Sequence, residues 1–135
     1  MIDARTAPYA ILIIRLALGV MFLSHGLLKI LVFGFAGTAG FFESLGLPTA
    51  LAYLTILAEV GGGILLILGV YARAVALLLV PVLVGAWLFG HANTGWLFSN
   101  PGGGWEYIAF LIAASFTVAL GGDGALALKP TTRRA

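Results

Sequence analysis

A few ionisable side chains and one indole hold the chemistry open to this 135-residue chain: Arg15, His25, Lys29, Glu59, His91, Glu106 and Trp105. His25 and Lys29 are four residues apart, so a helix presents them on one face. His91 closes one apolar run, and Trp105 with Glu106 opens the next. Brought together, two imidazoles, an ammonium and a carboxylate beside aromatic rings would suit an amphipathic quinone head. His25 or Lys29 would hydrogen-bond its carbonyl oxygens, Glu106 or Glu59 would exchange protons, and Trp105 would cover the ring. The plainer alternative makes His91 and Glu106 helix ends that face water. A second pairing is expected between Arg15 and Glu59, whose depths in their runs allow them to meet. It reads first as a structural ion pair that sets helix register, and second as a proton-handling group when Glu59 is freed.

Other chemistries find no support in the residues. Cysteine is absent, so this chain alone supplies no thiolate, disulfide or iron–sulfur ligation. A di-iron carboxylate site would need Glu-x-x-His pairs, and there are none; no metal is expected. Haem held axially by His25 and His91 is disfavoured, because few small residues surround His91 to admit a macrocycle. No Walker loop, dinucleotide fingerprint, nucleophile elbow or His-Glu-x-x-His occurs, and Gly61 to Gly63 sits inside an apolar run where it serves packing. Covalently held cofactors are not expected, and any electron carrier would be bound or supplied by a partner.

The elements that must position these residues are four long apolar runs, at about 8–33, 49–69, 73–89 and 105–121. Hydrophobic residues make up 61% of the chain and charged residues 9%, against roughly 45–50% and 25% in soluble domains. Helices of roughly 17–25 residues are what a hydrocarbon layer of about 30 Å requires. The fold expected is all-α: one domain over 1–135, an integral membrane four-helix bundle. With the amino terminus cytoplasmic, Arg5, Arg73, Lys129, Arg133 and Arg134 all fall inside and only Lys29 lies towards the outside, so both termini are placed in the cytoplasm. Trp87, Trp96 and Trp105 gather at the outer end, the headgroup layer that such rings favour. A cleaved signal peptide is a poor account of the first run, which is too long and carries Arg15. The net charge of +2 and pI near 9.3 come from scattered helix-end residues without a basic face, so nucleic acid is not a partner. The lipid bilayer is.

Within the first run, Arg15, Gly19, Phe22, His25, Gly26 and Lys29 share one helical sector. In the second, Thr55, Glu59, Gly62, Gly63 and Leu66 do the same, with glycines that permit close backbone approach. These stripes should face the bundle interior. Between the first two runs, Thr38 could cap a short turn of helix through Phe41, Phe42, Glu43 and Leu45, closed by Gly46 and Pro48. The second connection, around 70–72, is short enough to make its helices antiparallel neighbours. The third, from His91 to Gly104, is rich in turn residues. Gly19 with His25 and Gly85 with His91 repeat one spacing, a faint internal echo.

Order and spacing of these blocks resemble the DoxX family of small membrane proteins over nearly the whole chain, from about Tyr9 to Lys129. The opening blocks are Arg15-Leu16-Ala17-Leu18-Gly19, Phe22-Leu23-Ser24-His25-Gly26 with Lys29, and Phe41-Phe42-Glu43-Ser44-Leu45-Gly46-Leu47-Pro48. Similar later blocks are Glu59-Val60-Gly61-Gly62, Leu68-Gly69 with Arg73, His91 with Asn93 and Gly95-Trp96, Gly104-Trp105-Glu106-Tyr107, and Gly121-Gly122-Asp123-Gly124. The resemblance implies a four-helix inner-membrane protein of a family named from a subunit of an archaeal thiosulfate:quinone oxidoreductase. It also implies membrane assemblies that handle oxidative or thiol stress or respond to quinones. The function expected is a redox-associated membrane subunit that binds a quinone-like molecule and works with a soluble or membrane redox partner. The alternatives are a scaffold or assembly factor that recruits a soluble enzyme, and a small transporter; self-association into a homo-oligomer is open to all three.

Overall fold

The computed structural model describes residues 3–131. Arg133 and Arg134, assigned above to the inner side, lie outside the described residues. Five α-helices are present: α1 (Ala7–Leu31), α2 (Gly34–Ser44), α3 (Thr49–Leu68), α4 (Ala72–Gly85) and α5 (Glu106–Gly121). A π-helical segment, Ala86–His91, prolongs α4. Among the described residues the architecture is all-helical, with one isolated β-bridge between Val70 and Lys129.

The helix limits follow from local chemistry. Pro8 stands in the first turn of α1, where its missing N–H costs no intrahelical bond. Gly69, at φ 69°, ends α3 in the left-handed conformation; its N–H reaches Leu66 O and that of Val70 reaches Leu65 O, a Schellman closure. Tyr71 follows at φ 48° and hands its N–H to Lys129 O. Pro81 stands inside α4 and removes one donor from its ladder, upstream of the π-helical segment.

Three helical stretches are long and apolar enough to cross a membrane: Ala7–Leu31, Thr49–Leu68 and Ala72–His91. The fourth expected span is shorter. α5 has 16 residues, about 24 Å at 1.5 Å each against about 30 Å of hydrocarbon. Loop glycines before Glu106 and the backbone turn at Gly122 limit it. The short turn expected near residue 41 is instead the full helix α2, which starts at Gly34 and packs against α1 and α3.

α1 and α3 form the most extensive interface, and glycine makes it possible. A Cβ on Gly63 would lie 2.6 Å from Leu23 N and 2.8 Å from Gly19 O; one on Gly26 would lie 3.0 Å from Val60 N. Gly85 faces open space, unlike Gly19, so the sequence echo between those two positions has no counterpart in packing. Leu18, Phe22, Leu66, Leu79, Leu111 and Val118 join four helices in one core. The opposite faces, with Ile13, Leu31, Leu57, Leu78, Phe110 and Leu120, are exposed and apolar, as lipid contact requires. α1 and α4 start at the same end of the bundle at which α3 and α5 finish. Ala125 N–H bonds Pro8 O there, so both ends of the described chain meet at that end.

Candidate functional site

Lys29 and Glu59 meet inside the bundle. Side chains on a helix lean towards its amino terminus, so Lys29, in the last turn of α1, reaches back to the level of Gly26, against which Glu59 of α3 packs. Its Nζ lies 2.7 Å from Glu59 Oε2 and 3.0 Å from Oε1, with side-chain exposures of 19% and 8%. α2 packs against both helices here, and Thr38 donates to Lys29 O at 2.9 Å. Two buried opposite charges satisfy one another at close range, as a low-dielectric site demands.

The expected Arg15–Glu59 pair is therefore corrected. Glu59 is taken by Lys29, and Arg15 lies at the other end of α1, where Nη2 donates to Ala125 O at 3.3 Å. Leaning towards the start of α1 carries Arg15 away from the depth of Glu59, the same geometric rule that brings Lys29 to it.

His25 faces α5. Its Nδ1 is 2.8 Å from Met21 O, and a carbonyl only accepts, so Nδ1 carries the proton. Nε2 lies 3.2 Å from the Tyr107 hydroxyl, which donates to it when the ring's single proton is the one on Nδ1. The two rings stack with centroids 5.8 Å apart and planes 28° from parallel. Tyr107 was not anticipated. A tyrosine at the start of an apolar helix reads as an interface anchor, and its place directly after Glu106 was the available hint.

The remaining candidates brace the loop between α4 and α5, called the outer loop from its expected side of the membrane. His91 Nδ1 donates to Gly103 O at 2.7 Å, and Asn100 Nδ2 donates to Thr94 O at 2.9 Å. His91, the last residue of the π-helical segment, is bonded to the loop and His25 to α5, and no hydrogen bond joins the two imidazoles among the described residues. Glu106 Oε1 accepts Phe98 N–H at 2.7 Å, and its charge sits favourably in the first turn of α5. Trp105 packs between Trp87 and Trp96, with centroids 5.6 and 4.6 Å away. A Cβ at Gly104 would collide with the carbonyl oxygens of Trp96 and Leu97, so glycine lets the loop fold back onto α5. Beside this cluster lies an open groove of about 530 Å³, lined by Trp96, Glu106, Tyr107, Ala109 and Phe110.

A bundle with lipid-type outward faces and a buried polar stripe defines a small membrane protein with an aromatic, partly polar end beside the loop between α4 and α5. The DoxX family model matches residues 10–92, and the chain belongs to that family. It is 34% identical over 119 residues to "Putative oxidoreductase CatD" of Bacillus subtilis, covering 88% of this chain and 84% of that one. It is 30% identical over 128 residues to "Inner membrane protein YphA" of Escherichia coli, covering 90% and 89%. A second Escherichia coli relative, "Inner membrane protein YqjF", is 36% identical over 84 residues, 62% of each chain. No solved structure matches. Family, relatives and crossing-length helices together make this an inner-membrane protein.

Proposed function

We propose that this protein is the membrane component of a redox system and takes a quinone-type ring from the lipid into the groove between the outer loop and α5. One observation carries the reading: Tyr107 both lines the groove and holds His25 Nε2 through its hydroxyl. An amphipathic ring entering sideways would stack near Trp96 and Phe110, and its carbonyl oxygen would take over the Tyr107 O–H that His25 Nε2 accepts in its absence. In the quinol form the ring's own O–H would donate to the Tyr107 oxygen while Tyr107 donates to His25 Nε2. As the partner takes the electrons, the quinol proton passes to Tyr107 and the Tyr107 proton to His25; Glu106 is the carboxylate at the rim. Electrons come from or go to a partner protein, since this chain supplies no thiol or cluster. The word oxidoreductase in the name of the CatD relative supports the assignment.

In this reading α5 is the fourth crossing, with the outer loop and the segment after Gly122 covering the remaining thickness. The end that holds Arg5, Arg73 and Lys129 is cytoplasmic, in accord with the excess of basic residues on that side. The test is extraction of the purified protein and mass spectrometry of its lipids. A quinone retained in stoichiometric amount by the wild type and lost from Tyr107→Phe and Trp96→Ala is the expected result. A quinone content equal to that of an unrelated membrane protein contradicts it.

A further inference from the structure

At the end of the bundle away from the groove, Arg15 forms an incomplete recognition site. The residue is 1% exposed. Nη2 has a single long bond to Ala125 O, and Nε and Nη1 have no partner among the described residues. A guanidinium is a planar fork of five donors, shaped for carboxylate or phosphate. Arg15 reaches the level of Gly69, the residue that ends α3; a Cβ there would collide with Nη1. For a helix that spans the bilayer, its last residue marks the depth of the headgroup region.

Among the described residues no carboxylate bonds the Arg15 guanidinium directly. The dipole of α3 is favourable at this end, but the carbonyls of Leu65 and Leu66 are taken by the turn, and those of Leu68 and Gly69 by Leu128 N–H and Lys129 N–H. Asp123 is the neighbouring carboxylate and is 7% exposed. Its Oδ1 accepts Arg73 N–H at 3.3 Å and the Thr131 hydroxyl at 2.9 Å, and its Oδ2 accepts Thr131 N–H at 2.8 Å. Arg73 and Lys129 at the same end leave the balance positive.

Residues 122–131 lie over Arg15 as a strap. Backbone bonds from Ala125 to Pro8, Leu128 to Leu68 and Lys129 to Gly69 hold it. Gly122 at φ 107° and Gly124 at φ 77° give it two joints that other residues adopt poorly. A cavity of about 250 Å³ adjoins those joints, lined by Pro8, Gly121, Gly122, Asp123, Gly124 and Pro130 among others.

We propose that Arg15 is an oxyanion-binding residue and that Ala125 O occupies the place of the anion in the closed state. Shifting the strap into the adjoining cavity withdraws that carbonyl and frees Nη2. Nη2 and Nε then offer the side-on edge of the fork to two oxygens of a phosphate or carboxylate. The same chemistry is presented by a lipid phosphate of the inner leaflet and by free phosphate.

The experiment reads the Arg15 Nε–H resonance in the full chain, assigned by elimination with Lys variants of the other arginines, so that no change at Arg15 is needed. One arm titrates inorganic phosphate into protein in maltoside micelles. The other compares those micelles with nanodiscs of phosphatidylglycerol. A saturable shift in the first arm identifies a soluble oxyanion, and a shift confined to the second identifies the lipid. Thr131→Val, which removes a hydrogen bond that holds the two ends of the strap together at Asp123, should tighten binding about fivefold, the worth of roughly one hydrogen bond. A resonance unmoved in both arms, or moved equally by chloride at the same ionic strength, overturns the proposal and leaves Arg15 as an anchor for the strap.

Discussion

Lys29 and Arg15 are both cations on the inward face of α1, yet the two ends of the helix treat them differently. Lys29 has a carboxylate at 2.7 Å, supplied by α3, and α2 packs against both helices. Arg15 has one backbone carbonyl at 3.3 Å, supplied by a non-helical strap. The Lys29 end is closed by side-chain chemistry between helices, whereas the Arg15 end is closed by backbone that can be withdrawn. A charge in a low-dielectric interior with its partner built in is a structural element; one held by a single carbonyl is open to exchange.

Changes at these positions break or sharpen the contrast. Glu59→Gln should have the largest effect, because it strands the Lys29 ammonium inside the bundle; a loss of about 3–5 kcal/mol is expected in reversible detergent unfolding. The double change Lys29→Met with Glu59→Met should recover most of it. If the single change costs no more than Arg15→Met, the ends do not differ as described. Gly63→Val comes next, at about 1–3 kcal/mol, because its Cβ meets the backbone of Leu23 and Gly19 rather than side chains that could move. Arg15→Met should cost only about 1 kcal/mol, the net worth of one ordinary hydrogen bond. Its signature is faster proteolysis within residues 122–131 with α1 and α3 intact, read by mass spectrometry of the fragments. Slow cleavage equal to that of the wild type would show that the strap is held without Arg15.

Much of this contrast is legible in residue order, and its failures have physical causes. Periodicity finds the inward stripe of α1 and the depth of Glu59, since an apolar run makes every charge conspicuous. It does not say which of two cations on that stripe reaches the acid. That depends on the lean of side chains towards the start of α1, which draws Lys29 inward and Arg15 outward. Asp123 is visible in its glycine block, but its place in a strap over Arg15 is not, because glycine-rich backbone has no period. Tyr107 is masked because aromatic residues at helix ends are ordinary in membranes. The π-helical segment that ends at His91 leaves no mark in a pattern of apolar residues. α2 is apolar on most sides, so its length cannot be separated from a connecting loop by pattern.

The groove at Tyr107 remains the central functional claim, and its most direct test is a titration of a short-chain benzoquinone into the nanodisc-embedded protein, followed by quenching of the outer tryptophans. Saturable quenching in the wild type, weakened about tenfold in Tyr107→Phe as expected for a lost hydrogen bond to a buried polar group, is the predicted result. Quenching that does not saturate, or that is the same in wild type and Tyr107→Phe, would contradict the account.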